Sequence, residues 1–356
     1  MVGSKTVPGQ LMVRLGAALL IAGVLLSSPV SGVVTSDAAG THRVTPGQPA
    51  FGVNLDGVAL LALEVPTPLV DEFGEYLPIC TAALISDRHL ITAAHCFDPG
   101  FDDSAPAPAP DGVVDDFFRQ DPYVAVFDLS GGRTSVPLDL DTVQFAPGWL
   151  ELGADLAIVS LTEQAPAELP RYPLYGGQQE YEREAVVVGY GETGHGATGV
   201  ELTFPPVPTK RAGLNRIEFG SDQVIPGVET LIYDFDSGLP ENNSLELDNI
   251  PSDLGFGDDE VMIAPGDSGG PIFLSGAIAG IAVSGTSIGL GDVPPFENDA
   301  SWGDLAMHVR VTSFQDFITT ATEGKAIFVP EPATSPLTAL IAFCLTASRR
   351  RRRLLA

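Results

Sequence analysis

Glycine and proline set the strongest limit on what this chain can become. Thirty-nine glycines and 30 prolines are spread through its 356 residues, and they cut the apolar sequence into short runs. Candidate strands are Val58 to Val65, Tyr123 to Leu129, Asp155 to Leu161, Ala185 to Gly189, Leu231 to Phe235, Pro271 to Leu274, Ala277 to Val283 and Leu305 to Val311. Most are bounded by Gly, Pro, Asp or Ser, which end strands by supplying turn geometry. One helical face stands out, Phe314, Phe317 and Ile318, preceded by Thr312 and Gln315 at capping-box spacing. The expected class is all-β with a short C-terminal helix. A Pro/Glu/Gly-rich stretch from Glu163 to Gln179 would join two lobes, at about 49–166 and 183–322. Ser104 to Pro110 alternates Ala and Pro and reads as an extended, exposed loop. No repeat of fixed period is present.

Charge excludes one class of partner. With 46 acidic and 18 basic residues the net charge is −28, and nucleic-acid binding needs the opposite balance. The acidity reads as a self-repelling surface. No cofactor and no metal are expected. Asp234-Phe235-Asp236 lacks EF-hand spacing, because Gly238 falls where a third ligand belongs, and these acids read as solvated surface.

Both ends carry processing features. Lys5 and Arg14 precede an apolar run from Leu15 to Leu26 and a small-residue exit at Ser31-Gly32. That order makes residues 1–32 a secretory signal peptide, with cleavage after Gly32 or Ala38. The other end reads Val329-Pro330-Glu331-Pro332, an apolar stretch from Leu337 to Ala347, and Arg349 to Arg353. Residues 323–356 thus read as a linker and tail resembling the PEP-CTERM sorting signal of Gram-negative-type bacteria. The resemblance implies an exosortase-type processing partner, transient membrane association through the tail, and a secreted or cell-surface destination. Of three cysteines, Cys80 and Cys96 lie close together and Cys344 falls in the tail, which suits one disulfide in an exported protein.

The chemistry concentrates in three segments. Gly266-Asp267-Ser268-Gly269-Gly270-Pro271 surrounds a hydroxyl with glycines that allow a sharp turn and close substrate approach. The amides of Gly266 and Ser268 are placed to meet a developing oxyanion. Thr92-Ala93-Ala94-His95-Cys96 puts a histidine behind small residues, and a Cys80–Cys96 bridge would pin that turn. Asp155 opens an apolar strand, where a carboxylate can be held beside an imidazole. His42, His89, His195 and His308 read as ordinary surface or core histidines.

Together these segments resemble the chymotrypsin/trypsin-type serine proteases, over about Cys80 to Ile318 and in that family's order His95, Asp155, Ser268. Val188-Gly189-Tyr190-Gly191 is similar to the family's Gly-Trp-Gly strand. The resemblance implies two antiparallel six-stranded β-barrels, protein or peptide substrates and an acyl-enzyme on Ser268. It also implies a specificity pocket floored by Met262 and walled by Ser284, Gly285 and Thr286. Met in that place predicts a preference for uncharged apolar side chains, unless Asp258, Asp259 or Glu260 reaches in. Two departures mark this chain. It has no Ile-Val-Gly-Gly activation site to partner Asp267, and Ala264 replaces a pocket cysteine. Two rival readings compete with this one. Gly266-x-Ser268-x-Gly270 also fits an α/β-hydrolase elbow, with Asp304 and His308 completing a triad. A protease scaffold can also serve as a non-catalytic binding module.

Overall fold

The computed structural model describes residues 33–36, 42–66, 75–99, 110–201, 208–225, 227–292 and 298–330. The expected signal peptide (residues 1–32), most of the Ala/Pro loop and the expected sorting tail from Glu331 lie outside the described residues. Among the described residues nineteen strands run in chain order: β1 Val34–Thr35, β2 Val58–Glu64, β3 Tyr76–Leu84, β4 His89–Thr92, β5 Tyr123–Leu129, β6 Gly132–Phe145, β7 Ala157–Leu161, β8 Leu174–Tyr175, β9 Arg183–Gly189, β10 Thr193–His195, β11 Gly199–Glu201, β12 Arg211–Ile217, β13 Phe219–Ile225, β14 Val228–Asp234, β15 Val261–Met262, β16 Pro271–Leu274, β17 Ala277–Thr286, β18 Leu305–Arg310 and β19 Phe328–Val329.

The first lobe is a closed antiparallel barrel in the order β2-β3-β4-β7-β6-β5. Strand β2 shows why its sequence is almost wholly apolar. Val58, Leu60 and Ala62 face a cluster shared with the second lobe, while Ala59, Leu61 and Leu63 face the first lobe's own core. A strand buried on both faces loses the polar half of its alternation.

The second lobe is a half-barrel sheet in the order β12-β9-β16-β17-β18-β14-β13. Its expected closure is not made by a strand ladder. Instead Asn215 on β12 reaches across, and its Nδ2 donates to the Asp234 carbonyl at the end of β14 (3.1 Å). A four-stranded sheet, β11-β10-β1-β15, adjoins it. All-β architecture with one short C-terminal helix is thus what the chain forms.

The terminal helix spans Gln315–Ala321 and buries Ile318 and Ala321. The capping box expected of Thr312 and Gln315 does not form. A 3-10 turn, Val311–Phe314, leads into the helix and no side chain caps it. The expected linker from 323 begins later than read. Ala326 is buried and β19 pairs with β8, so the packed domain continues to Val329. The solvated reading of Asp234 and Asp236 is also corrected, since they are 0% and 2% exposed.

Candidate active site

Strand pairing places the histidine and the aspartate together. In the β4–β7 ladder Thr92 sits opposite Ala157, so the residues after β4 and before β7 leave the barrel at the same end. The chain turns there through Ala93 and Ala94, both fully buried. Larger side chains would have no room. His95 lies in the 3-10 turn Ala94–Cys96, and the Cys80–Cys96 disulfide ties that turn to β3.

Asp155 then grips His95 twice. Its Oδ1 accepts the His95 main-chain N–H at 2.9 Å, and its Oδ2 lies 2.6 Å from Nδ1. The second contact holds the proton on Nδ1 and leaves Nε2 as the basic nitrogen. The imidazole is 31% exposed, the carboxylate 13%. Burial lowers the basicity of His95, but the Asp155 charge and hydrogen bond outweigh it, and the net shift is upward.

Ser268 is half-buried on the loop between β15 and β16. Gly266 and Gly269 take φ of 91° and 82°, left-handed values that L side chains rarely adopt. Space is a second demand at Gly269, where a Cβ would stand 2.0 Å from Thr92 Oγ1 and 2.2 Å from the Thr81 carbonyl. Thr81, on β3 of the first lobe, clasps the loop. Its amide donates to the Ser268 carbonyl (2.8 Å) and its hydroxyl to the Gly266 carbonyl (3.0 Å). That same hydroxyl accepts from the Tyr190 amide (3.1 Å). Cys96 Sγ lies 3.8 Å from the Ser268 carbonyl oxygen, which brings Ser268 against the residue following His95. The amides of Gly266 and Ser268 donate to no acceptor among the described residues. They are free to meet an oxyanion.

The partner of Asp267, left open by the sequence, is backbone. The carboxylate is fully buried. Oδ1 accepts from the Gly191 amide (2.7 Å) and Oδ2 from the Ala264 amide (2.9 Å). The Gly-Tyr-Gly segment exists to admit it. A Cβ on Gly189 would fall 1.9 Å from Asp267 Oδ1, and one on Gly191 2.5 Å from its Cγ. Burial pushes Asp267 up to about 7, against the two amides and the Arg211 charge, which pull it down. Glu192, also buried, is pushed up to about 8 by desolvation and by Asp267.

The expected pocket residues adjoin one another. Met262 is fully buried, and its Cε lies 3.4 Å from where a Gly285 Cβ would stand. Ser284 is exposed, with its hydroxyl on the Gly285 carbonyl, and Thr286 is half-buried. Asn298 Nδ2 donates to the same Gly285 carbonyl at 3.0 Å. This contact was not foreseen, because a lone Asn in an acidic loop gives no signal. Of the three acids upstream, Asp258 and Asp259 are exposed. Glu260 turns away, accepting from the Asp236 and Phe256 amides.

The hydrolase alternative finds no triad. Asp304 Oδ2 accepts from the amides of Asp299 and Ala300. His308 is fully buried with neither ring nitrogen hydrogen-bonded. Desolvation drives its pKa down to about 3.

No protein-family model matches the chain, and no curated protein matches its sequence. Among solved structures, neuropsin, a serine protease expressed in the limbic system of mouse brain, is similar. The alignment covers 75% of this chain and 94% of neuropsin, with 14% identity and a TM-score of 0.44.

Proposed function

We propose that this chain is an exported serine endopeptidase. The observation that carries the reading is the double grip of Asp155 on His95 beside a glycine-framed Ser268 whose loop offers two free amides. In the proposed reaction Ser268 Oγ attacks the peptide carbonyl carbon while His95 Nε2 takes its proton. Asp155 keeps Nδ1 protonated and stabilises the imidazolium. The amides of Gly266 and Ser268 receive the tetrahedral oxyanion. His95 then gives its proton to the leaving amine, and water releases the acyl group from Ser268 by the same steps reversed. Substrates are proteins or peptides with an uncharged apolar side chain entering beside Met262, Ser284, Gly285 and Thr286.

Export and processing belong to the same proposal. Val33, Val34 and Thr35 are fully buried, and β1 is inserted between β10 and β15. Cleavage after Ala38 would remove that strand, so the packing supports cleavage after Gly32. The tail is proposed to be read by an exosortase-type enzyme at the membrane.

A fluorophosphonate probe tests the activity. Labelling of exported protein, lost in Ser268→Ala, is expected. Exported, folded protein that takes no label would instead favour a binding module on a protease scaffold.

A further inference from the structure

Behind the pocket floor lies a group of carboxylates that the proposed chemistry does not use. Glu218 stands between β12 and β13, Asp234 ends β14, and Asp236 follows two residues later. They are 8%, 0% and 2% exposed. One carboxylate oxygen from each lies within 4.8 Å of those from the other two. A fourth acid, Glu260, is fully buried beside them and accepts from the Asp236 amide at 3.4 Å.

Part of this group is held by backbone. Glu218 Oε1 accepts from the Asp253 amide (3.0 Å), and Asp234 Oδ2 from the Leu245 amide (2.9 Å). The remaining oxygens set the problem. Asp234 Oδ1 and Asp236 Oδ1 are buried and receive no hydrogen bond. Arg216, the nearby cation, pairs with Asp253 instead. No lysine or arginine among the described residues forms an ion pair with any of the four acids. Unpaired carboxylates are costly to remove from water, and two orphaned oxygens within such a cluster call for a positive charge there.

We propose that Glu218, Asp234 and Asp236 bind a calcium ion. The donor set is all oxygen, which suits a hard cation and not the thiolate- and imidazole-seeking metals. Oxygens about 4.8 Å apart at most fit opposite sides of an ion with bonds of about 2.3–2.6 Å. The other acidic trio, Asp292, Asp299 and Asp304, has a buried oxygen without a hydrogen bond at Asp304 Oδ1 alone. Both oxygens of Asp292 already receive hydroxyls, from Ser301 and Ser287, and Asp299 is half-exposed. The site also has a route to the pocket. Glu260 directly precedes β15, and Asn215 Nδ2 donates both to Asp234 O and to Val261 O (3.1 Å each). An ion here would fix the segment 253–262 that ends in Met262.

Calorimetric titration of the exported protein, stripped with EGTA, tests this directly with calcium chloride. One equivalent is expected to bind, with Kd between about 10⁻⁵ and 10⁻³ M. Asp236→Asn should fold, since it removes a buried charge, and should weaken binding at least tenfold. Asp304→Asn should leave binding unchanged. Should Asp236→Asn misfold, hydrogen exchange of the unaltered protein decides, with calcium slowing exchange at 253–262. Absence of calcium binding, calcium binding retained in Asp236→Asn or lost in Asp304→Asn, or no protection at 253–262 would each overturn the site. None of these readouts depends on peptidase activity.

Discussion

Asp155 meets His95 through two atoms of each residue, the main-chain N–H with Oδ1 and the ring Nδ1 with Oδ2. A single contact would leave the ring free to rotate about the backbone. Two contacts fix the turn and the ring together. Asp155→Asn keeps an acceptor but loses the charge and admits the wrong tautomer. Its kcat is expected to fall about 10⁴-fold. The pH profile gives the independent sign. His95 is raised above its ordinary 6.5 and must be neutral to act as base, so kcat/KM should climb with pH through a midpoint above 6.5. In Asp155→Asn the raising influences are lost while burial persists, and the midpoint should move down. An unmoved midpoint would exclude this pairing as its cause.

Gly191 is kept by space. A Cβ there would stand 2.5 Å from both the Asp267 amide nitrogen and its Cγ. Gly191→Ala is expected to cost about 1–3 kcal/mol in urea unfolding and to reduce probe labelling of Ser268. Gly131→Ala is the control, because nothing lies within 4 Å of its Cβ position, and it should change neither.

The proposed placement of Met262 at the pocket floor makes a prediction about selectivity. A panel of peptides varying only in the residue before the cleaved bond should show apolar side chains ahead of Arg and Lys. Met262→Asp should raise cleavage after Arg and Lys relative to the apolar set. Preference for Arg or Lys in the unaltered protein would refute the assignment of Met262 to the pocket floor.

Sequencing the exported protein should find Val33 as its first residue. A start at Ala39 would mean that β1 is discarded, and the sheet β11-β10-β1-β15 would lose its third strand.

Breaking the Cys80–Cys96 bridge, which closes a separation of 16 residues, should cost about 3 kcal/mol by the chain-entropy relation. Chemical denaturation of a Cys80→Ala/Cys96→Ala variant measures it. The loss should fall on the His95 turn first, seen as lower kcat.

Legibility varied with the physical source of each feature. Tyr123–Leu129 and Pro271–Leu274 were bounded correctly, because apolar runs there end at turn residues. Gly132–Phe145 was missed. Of its residues only Val136 and Leu138 are buried, and it carries Arg133, Asp139 and Asp141, which mask the strand signal. Arg211–Ile217 was missed for the opposite reason, since its polar residues Arg211 and Asn215 are buried. The His95 and Ser268 segments were legible because their constraints are local in sequence. The Gly191 amide that partners Asp267 was not, because it lies 76 residues away. Nor was the burial of Asp234 and Asp236, since carboxylates ordinarily face water.

Thr81 gives the two lobes a common fate. One residue of the first barrel holds Ser268, Gly266 and Tyr190 of the other. The shape of the Ser268 loop is therefore written partly in a strand it does not belong to. Cut between the lobes, the chain would become two inert fragments, and a pair that re-associated would recover its function only as fast as Thr81 regained its three partners.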